Sequence, residues 1–323
     1  MSIPLRRLPF LAIREMIQSM GTREIFYLSL LSKKSANFVM LSIPKNSLSA
    51  DFTFRRDGFL LELMPAGYFK QGHDILPDTS YRIQGNFLKT RVSSDNLYVQ
   101  CEWTDTSGVQ ESIRKLFYRF SKAFKNSKFY MKFKDGTREE FAMEKIRFAW
   151  ENGFSLDHID FCLKNSSPES IQALLDGCNE HQTSLCFETE LPEGFRYTPP
   201  PGGYKFKSLA VHYAHWVNLD DFLQCRKLFF IGEFPDLTVE YLNGLLKKIV
   251  NLEVNLENFF FPVKSVEPTD FAAIVRGLSE SAIRQNGAWQ GLEFERKDGL
   301  KLRISLDQGY LDLENDLENL CHF

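Results

Sequence analysis

The sequence predicts a mixed α/β chain, with a short helical module followed by a long region of strands and helices. Three observations carry this. Apolar residues recur at helical spacing as far as Leu41 and stop at Pro44, Asn46 and Ser47. Period-two alternation with an Asp-Gly turn signal takes over from Asp51. From about Leu156, strand and helix signals alternate. A length of 323 residues suggests two domains and can bury a substantial core without metal or disulfide help. The divisions read as 1–45 for the helical module and 46–323 for a remainder expected to fold alone, β-rich to 150 and repeat-like beyond.

The first helix is carried by Leu11, Met16, Ile17 and Met20. Gly21 interrupts it, and Thr22 caps a second helix in which Ile25, Leu28 and Leu31 recur at three-residue steps. A third runs from Lys33 to about Val39. Asp51–Arg55 and Phe59–Leu63 flank Asp57-Gly58 as a hairpin, and Asn86–Val92 pairs with Leu97–Trp103. Leu116, Phe117, Phe120 and Phe124, with Val109 and Ile113, share a helical face. Phe129, Met131 and Phe133 alternate as a strand, and Thr137 with Glu140 resembles a capping box. Ser167-Pro168 opens a helix with Ile171, Leu174, Leu175 and Cys178 inside. Leu242, Leu245, Leu246 and Ile249 form another such face, and Leu292–Arg296 with Leu300–Leu306 form a last hairpin. Strand positions Ile159, Leu185, Leu209, Leu228 and Leu252 step by 26, 24, 19 and 24 residues. That is near the leucine-rich-repeat period and predicts a degenerate strand–helix repeat, with an ordinary α/β sheet as the alternative. The 30 phenylalanines predict a Phe-packed core.

Composition excludes several function classes. A net charge of -3 gives no nucleic-acid footprint. No apolar run reaches the roughly 18 residues of a membrane span, and Met1 to Phe10 lacks the features of a signal peptide. Six scattered cysteines without a CxxC pair predict reduced thiols, no metal, and a cytoplasmic or nuclear setting. There is no GxGxxG, GxxxxGK[ST] or GxSxG, so neither cofactor nor catalysis is expected; a hydrolase with an unrecognised site is the rival. Asp157, His158 and Asp160 read as a solvated strand edge, and Cys186 near His181 is no nucleophile pair. His212 and His215, three apart on a strand, are expected on opposite faces.

One stretch carries a more specific pattern. Leu8-Pro9 precedes the helical stripe, followed by Ile25, Leu28, Leu30 and Leu31-Ser32-Lys33. This resembles the F-box, and in particular the nematode-type variety in which an F-box-associated domain follows. Leu237-Thr238 through Leu245-Leu246-Lys247 is similar to a helix of that second domain. The apolar positions are kept, while Leu11 stands where the family has Glu and Leu31 where it has Val. The resemblance implies a substrate-recruiting subunit of a cullin-type ubiquitin ligase that does no bond chemistry. Its partners would be a Skp-family adaptor, through it a cullin, and an unknown target protein. Leu8, Pro9, Ile13, Ile17, Ile25 and Leu28 would then dock the adaptor. The alternatives are a helical cap on one larger domain, and a ubiquitin-independent α/β scaffold.

The target surface follows from strand alternation. Ile159, Phe161, Leu185, Phe187, Leu209, Val211, Leu252 and Val254 are expected to point inward. Their neighbours, including Asp160, Cys186, Glu188, His212, Phe229 and Glu253, then share the opposite face. Asp160, Glu188, His212, Phe229 and Glu253 are the candidate target-binding residues, with Phe229 as the aromatic anchor and a basic or His-contacting segment as the ligand; the alternative is a sheet covered by helices on both sides, with Phe229 in the core.

Overall fold

The computed structural model describes residues 8–56, 58–65, 79–83, 86–92, 97–102, 109–164, 166–278, 284–286 and 289–315. The chain divides into two units, Met1–Leu163 and Lys164–Phe323.

The first unit opens with α1 (Phe10–Gln18), α2 (Thr22–Leu31) and α3 (Lys33–Ser42). A capping box joins α2 to α3: Ser32 Oγ accepts from the Ser35 amide, and Ser35 Oγ accepts from the Ser32 amide at 2.8 Å. β1 (Leu48–Arg55) and β2 (Gly58–Pro65) form the expected hairpin, one turn residue of which, Asp57, lies outside the described residues. β3 (Thr79–Ile83), β4 (Asn86–Val92) and β5 (Leu97–Glu102) follow as antiparallel strands. Then come α4 (Val109–Ala123), β6 (Lys128–Phe133), α5 (Glu139–Glu151) and β7 (Ser155–Phe161). Strand order is β7-β6-β1-β2-β5-β4-β3, parallel from β7 to β1 and antiparallel beyond.

Phenylalanine builds this unit's core. Phe52 stacks on Phe129 (5.8 Å) and Phe54 on Phe133 (5.0 Å) along the sheet, while Phe117 of α4 meets Phe52 edge-on at 5.1 Å. Stacked and T-shaped pairs add to area burial. The expected capping box at Thr137 is absent. Arg138 is the N-cap of α5, and Thr137 Oγ1 instead donates to the Phe54 carbonyl at 3.3 Å.

The three N-terminal helices are tied into the same unit. Phe26 is fully buried against Phe120, 5.3 Å between ring centres, and the Arg119 guanidinium donates to the Leu30 carbonyl. Asn126 Nδ2 donates to the carbonyls of Met40 and Ile43 at 2.8 and 3.1 Å. Helix ends at Ser42 and strand begins at Leu48, and Ile13, Ile17, Ile25, Phe26, Leu28 and Val39 of α1–α3 are buried within the chain, while Leu11 and Leu31 are not.

The second unit runs α6 (Pro168–His181), β8 (Ser184–Phe187), β9 (Leu209–Val211), β10 (Lys227–Phe230), α7 (Val239–Val250) and β11 (Asn258–Pro262). The short α8 (Phe271–Ile274) and strands β12 (Arg284–Asn286), β13 (Trp289–Glu295), β14 (Lys301–Asp307) and β15 (Tyr310–Asn315) complete it. β8 to β11 are parallel neighbours in chain order; β15 then pairs antiparallel with β11 and leads to β14, β13 and β12. Ser167 caps α6 with Pro168 behind it, and Ile171, Leu174, Leu175 and Cys178 are buried as expected. So are Leu242, Leu245, Leu246 and Ile249 of α7.

One expected strand is not there. Leu252 is 47% exposed and left-handed (φ 61°), and its neighbours complete the end of α7. The amides of Asn251, Leu252 and Glu253 donate to the carbonyls of Lys247, Ile249 and Lys248. The strand is β11, where Phe259 lies opposite Leu228, 31 positions earlier. Among the described residues, no helix is long and apolar enough to cross a membrane.

Candidate functional site

In open parallel sheets, ligands bind beyond the carboxyl ends of the strands, where the outgoing loops gather. The second unit has such a place. The connection between β8 and β9, residues 188–208, would be long for an unsupported loop. Aromatic packing anchors it. Phe195 and Tyr197 pack edge-on against Trp216 at 5.4 and 5.5 Å, and Tyr204 stacks on Phe222 at 5.0 Å. The Tyr197 hydroxyl donates to Asp221 at 2.8 Å, and the Tyr204 amide to the Asp221 carbonyl at 2.7 Å.

The loops leaving β8, β9 and β10 enclose a cleft of about 890 Å³. β8 supplies Glu190 and Glu193, β9 supplies Tyr213 and His215, β10 supplies Gly232 and Glu233, and Ser166 comes from before α6. Gly232 has to be glycine: its φ is +77°, and a Cβ would stand 2.7 Å from the His212 carbonyl oxygen. All three glutamates are exposed, and among the described residues no lysine or arginine lines the cleft. Two polar atoms face an opposite situation. Ser166 Oγ and His215 Nε2 are buried without a hydrogen-bond partner among the described residues. Buried polar atoms left open carry a free-energy cost that a ligand or an ordered water removes. The cleft therefore suits a cationic group carrying hydrogen-bonding functions, such as a lysine or arginine side chain.

The residues expected to bind target are dispersed. Asp160 belongs to the first unit and is engaged there: His158 Nε2 lies 2.6 Å from it and Lys132 Nζ 3.7 Å. Burial alone raises its pKa, but the His158 hydrogen bond and the cations bring it below the usual value. Lys132 also lies 3.4 Å from Asp51, whose carboxyl burial pushes up. These groups neutralise one another, so Asp160 is not a vacant anion. Glu253 shares no face with the others, because it sits in the turn after α7. Phe229 is half-buried on β10, opposite Ala210 and Phe260. Glu188 and His212 do lie together, at the cleft side of β8 and β9, with Cys186 nearby. β9 ends at Val211 and the His212 amide makes the last ladder bond, so strand alternation reaches His212 but does not govern His215.

The adaptor-facing residues need a correction as well. Ile13, Ile17, Ile25 and Leu28 are buried inside the chain, leaving Pro9 exposed and Leu8 half-exposed. A stripe at helical spacing marks the face a helix buries, and here intrachain packing takes it. The exposed apolar residues of these helices are instead Phe10, Leu11, Leu31 and Leu41. Comparisons with protein-family models, with curated proteins and with solved structures found no match.

Proposed function

We propose that this chain is a protein-recognition adaptor. It would join a Skp-family adaptor, and through it a cullin, by the exposed side of α1–α3, and hold a basic target segment in the cleft beyond β8–β10. One observation carries this reading. Of the seven large apolar side chains exposed among the described residues, four lie on α1–α3 and Tyr213 and Ile231 lie at the cleft end. Large exposed apolar side chains concentrated on these two segments support interaction surfaces there. The F-box resemblance names the first partner, and the three glutamates name the charge of the second. The run of parallel strands β8 to β11 in chain order supports a repeat-like reading of the recognition unit.

The test is co-purification from cells. Leu11→Asp with Leu31→Asp should cut adaptor capture at least about tenfold, a loss of about 1.4 kcal/mol or more, while target capture persists. Glu190→Lys with Glu233→Lys should do the reverse. Adaptor capture unchanged in the first variant would refute the ligase reading. The burial of Ile13, Ile17, Ile25 and Leu28 favours a second reading, in which α1–α3 are a structural part of a ubiquitin-independent scaffold. That reading is supported if wild-type protein captures targets and no Skp-family adaptor.

A further inference from the structure

We propose that Cys186, Glu188 and His212 form a zinc-binding site at the carboxyl edge of β8 and β9, independent of any partner. The placement follows from the parallel ladder. Cys186 lies opposite Ala210 and Phe187 opposite Val211. The His212 amide continues the ladder by donating to the Phe187 carbonyl at 2.9 Å, which carries the pairing on to Glu188 and His212. Side chains alternate, so Leu185, Phe187, Leu209 and Val211 turn into the core. Cys186, Glu188 and His212 therefore turn to the other face together. The sequence hides this set because Cys186 lies in β8, Glu188 just after it, and His212 just past β9, more than 20 positions later.

The donor atoms fit the ion. The Cys186 sulfur, a Glu188 carboxylate oxygen and a His212 ring nitrogen all lie within 4.8 Å of one another. Glu188 Oε1 and His212 Nε2 are 3.9 Å apart. Tetrahedral zinc with bonds of about 2.0–2.3 Å needs ligand–ligand edges of roughly 3.3–3.8 Å. The three donors thus have to close in by about 1.5 Å at most. Two of them can move, since the His212 and Glu188 side chains are 36% and 43% exposed. The third is fixed, because Cys186 is buried in the ladder as a thiol, not a disulfide. Thiolate with imidazole and carboxylate selects a zinc-like ion over magnesium or calcium, which take oxygen donors. Three protein ligands leave the fourth position to water. Glu188 precedes Glu190 of the cleft by two residues, and His212 directly precedes Tyr213. A bound ion would tie two of the cleft's loops together where they leave the sheet.

The experiment titrates metal-free, full-length protein with Co(II), a spectroscopic stand-in for zinc. The expected result is one ion per chain, with thiolate-to-cobalt charge transfer in the near ultraviolet that Zn(II) displaces. Cys186→Ser should abolish the charge-transfer band. Glu188→Gln and His212→Asn change partly exposed side chains, so their metal-free melts should match wild type, and each should weaken binding at least about tenfold. Zn(II) should raise the melting temperature of wild type and of neither variant. Affinity should fall as pH falls, because protons compete for the thiolate and the imidazole. A wild-type chain without a charge-transfer band overturns the proposal. So does a band that survives Cys186→Ser at equal affinity, or unchanged affinity in both partly exposed variants.

Discussion

Lys145 offers the sharpest test of how the first unit holds a charge. Its side chain is fully buried. The ammonium lies 4.5 Å from the ring of Tyr118, 4.7 Å from Phe141 and 5.7 Å from Phe117. Its carboxylate partner is Glu144, at 2.9 Å. Burial drives the lysine pKa down, and Glu144 opposes that. Glu144→Ala would leave a buried cation without its counter-charge, which costs about 3–5 kcal/mol, against about 0–1 for an exposed pair. In a unit of this size each kcal/mol moves the melting temperature by about 2–4 °C, so the expected drop is on the order of 10 °C. Lys145→Met keeps the volume and removes the charge, and Glu144 retains Arg114 and Tyr118, so the change should stay within about 1 kcal/mol. The double variant should then recover about 2 kcal/mol of the Glu144→Ala loss. Thermal and urea melts of all four proteins measure this. Glu144→Ala should also regain stability as pH rises toward 10.5, the ordinary lysine value, since its folded-state pKa lies below that. A Glu144→Ala melt within about 2 °C of wild type, or strictly additive single effects, would refute the reasoning.

Three further outcomes are expected. Burial alone would raise the Glu144 pKa, but hydrogen bonds from Arg114, Tyr118 and Lys145 hold it at about 2, below the ordinary 4.5. Its stabilisation is therefore present above pH 4.5 and is lost as pH falls toward 2, about 1 kcal/mol after solvent screening, and acid titration of Glu144→Gln should show a flatter loss. Burial first, and Glu314 second, push Asp312 up to about 6 from 3.8. Here the stabilisation is complete below pH 3.8 and lost as pH rises through 6, so melts of Asp312→Asn should gain about 1–2 kcal/mol at pH 7 and little at pH 3. Phe26→Ala should cost about 3–5 kcal/mol, and deletion of residues 1–45 should give an aggregating product by size exclusion, because Phe120 loses its partner on α2.

What was legible in the sequence were features with a local cause. Ser167-Pro168, the buried face of α6, the hairpin around Asp298-Gly299 and the Phe129–Met131–Phe133 alternation all stand as read. An amphipathic stripe is also local, but it says only that a face is covered. That Ile17 and Phe26 are covered from within the first unit is a tertiary fact. Leu252 to Leu256 has strand-like alternation, yet the carbonyls at the end of α7 claim its first amides. Asp160 read as an available anion because its counter-charge, Lys132, sits on the neighbouring strand β6. The cleft glutamates lie in loops, where no periodicity marks them, and sequence reasoning passed over them; their place just after strand signals is the one feature that could have found them.

The parallel run of β8, β9 and β10 also separates two kinds of inheritance. The ladder positions, Leu185, Leu209 and Leu228, are answerable to the core and tolerate little change. The cleft side chains Glu190, Glu193, Tyr213 and Glu233 hang from loops that begin after the ladder ends. Their identity can drift without disturbing a strand hydrogen bond. Gly232 is the exception, bound to its place by the close approach of the His212 carbonyl. A lineage carrying this scaffold could thus exchange one recognised partner for another by loop substitutions alone, while the fold beneath stays the same.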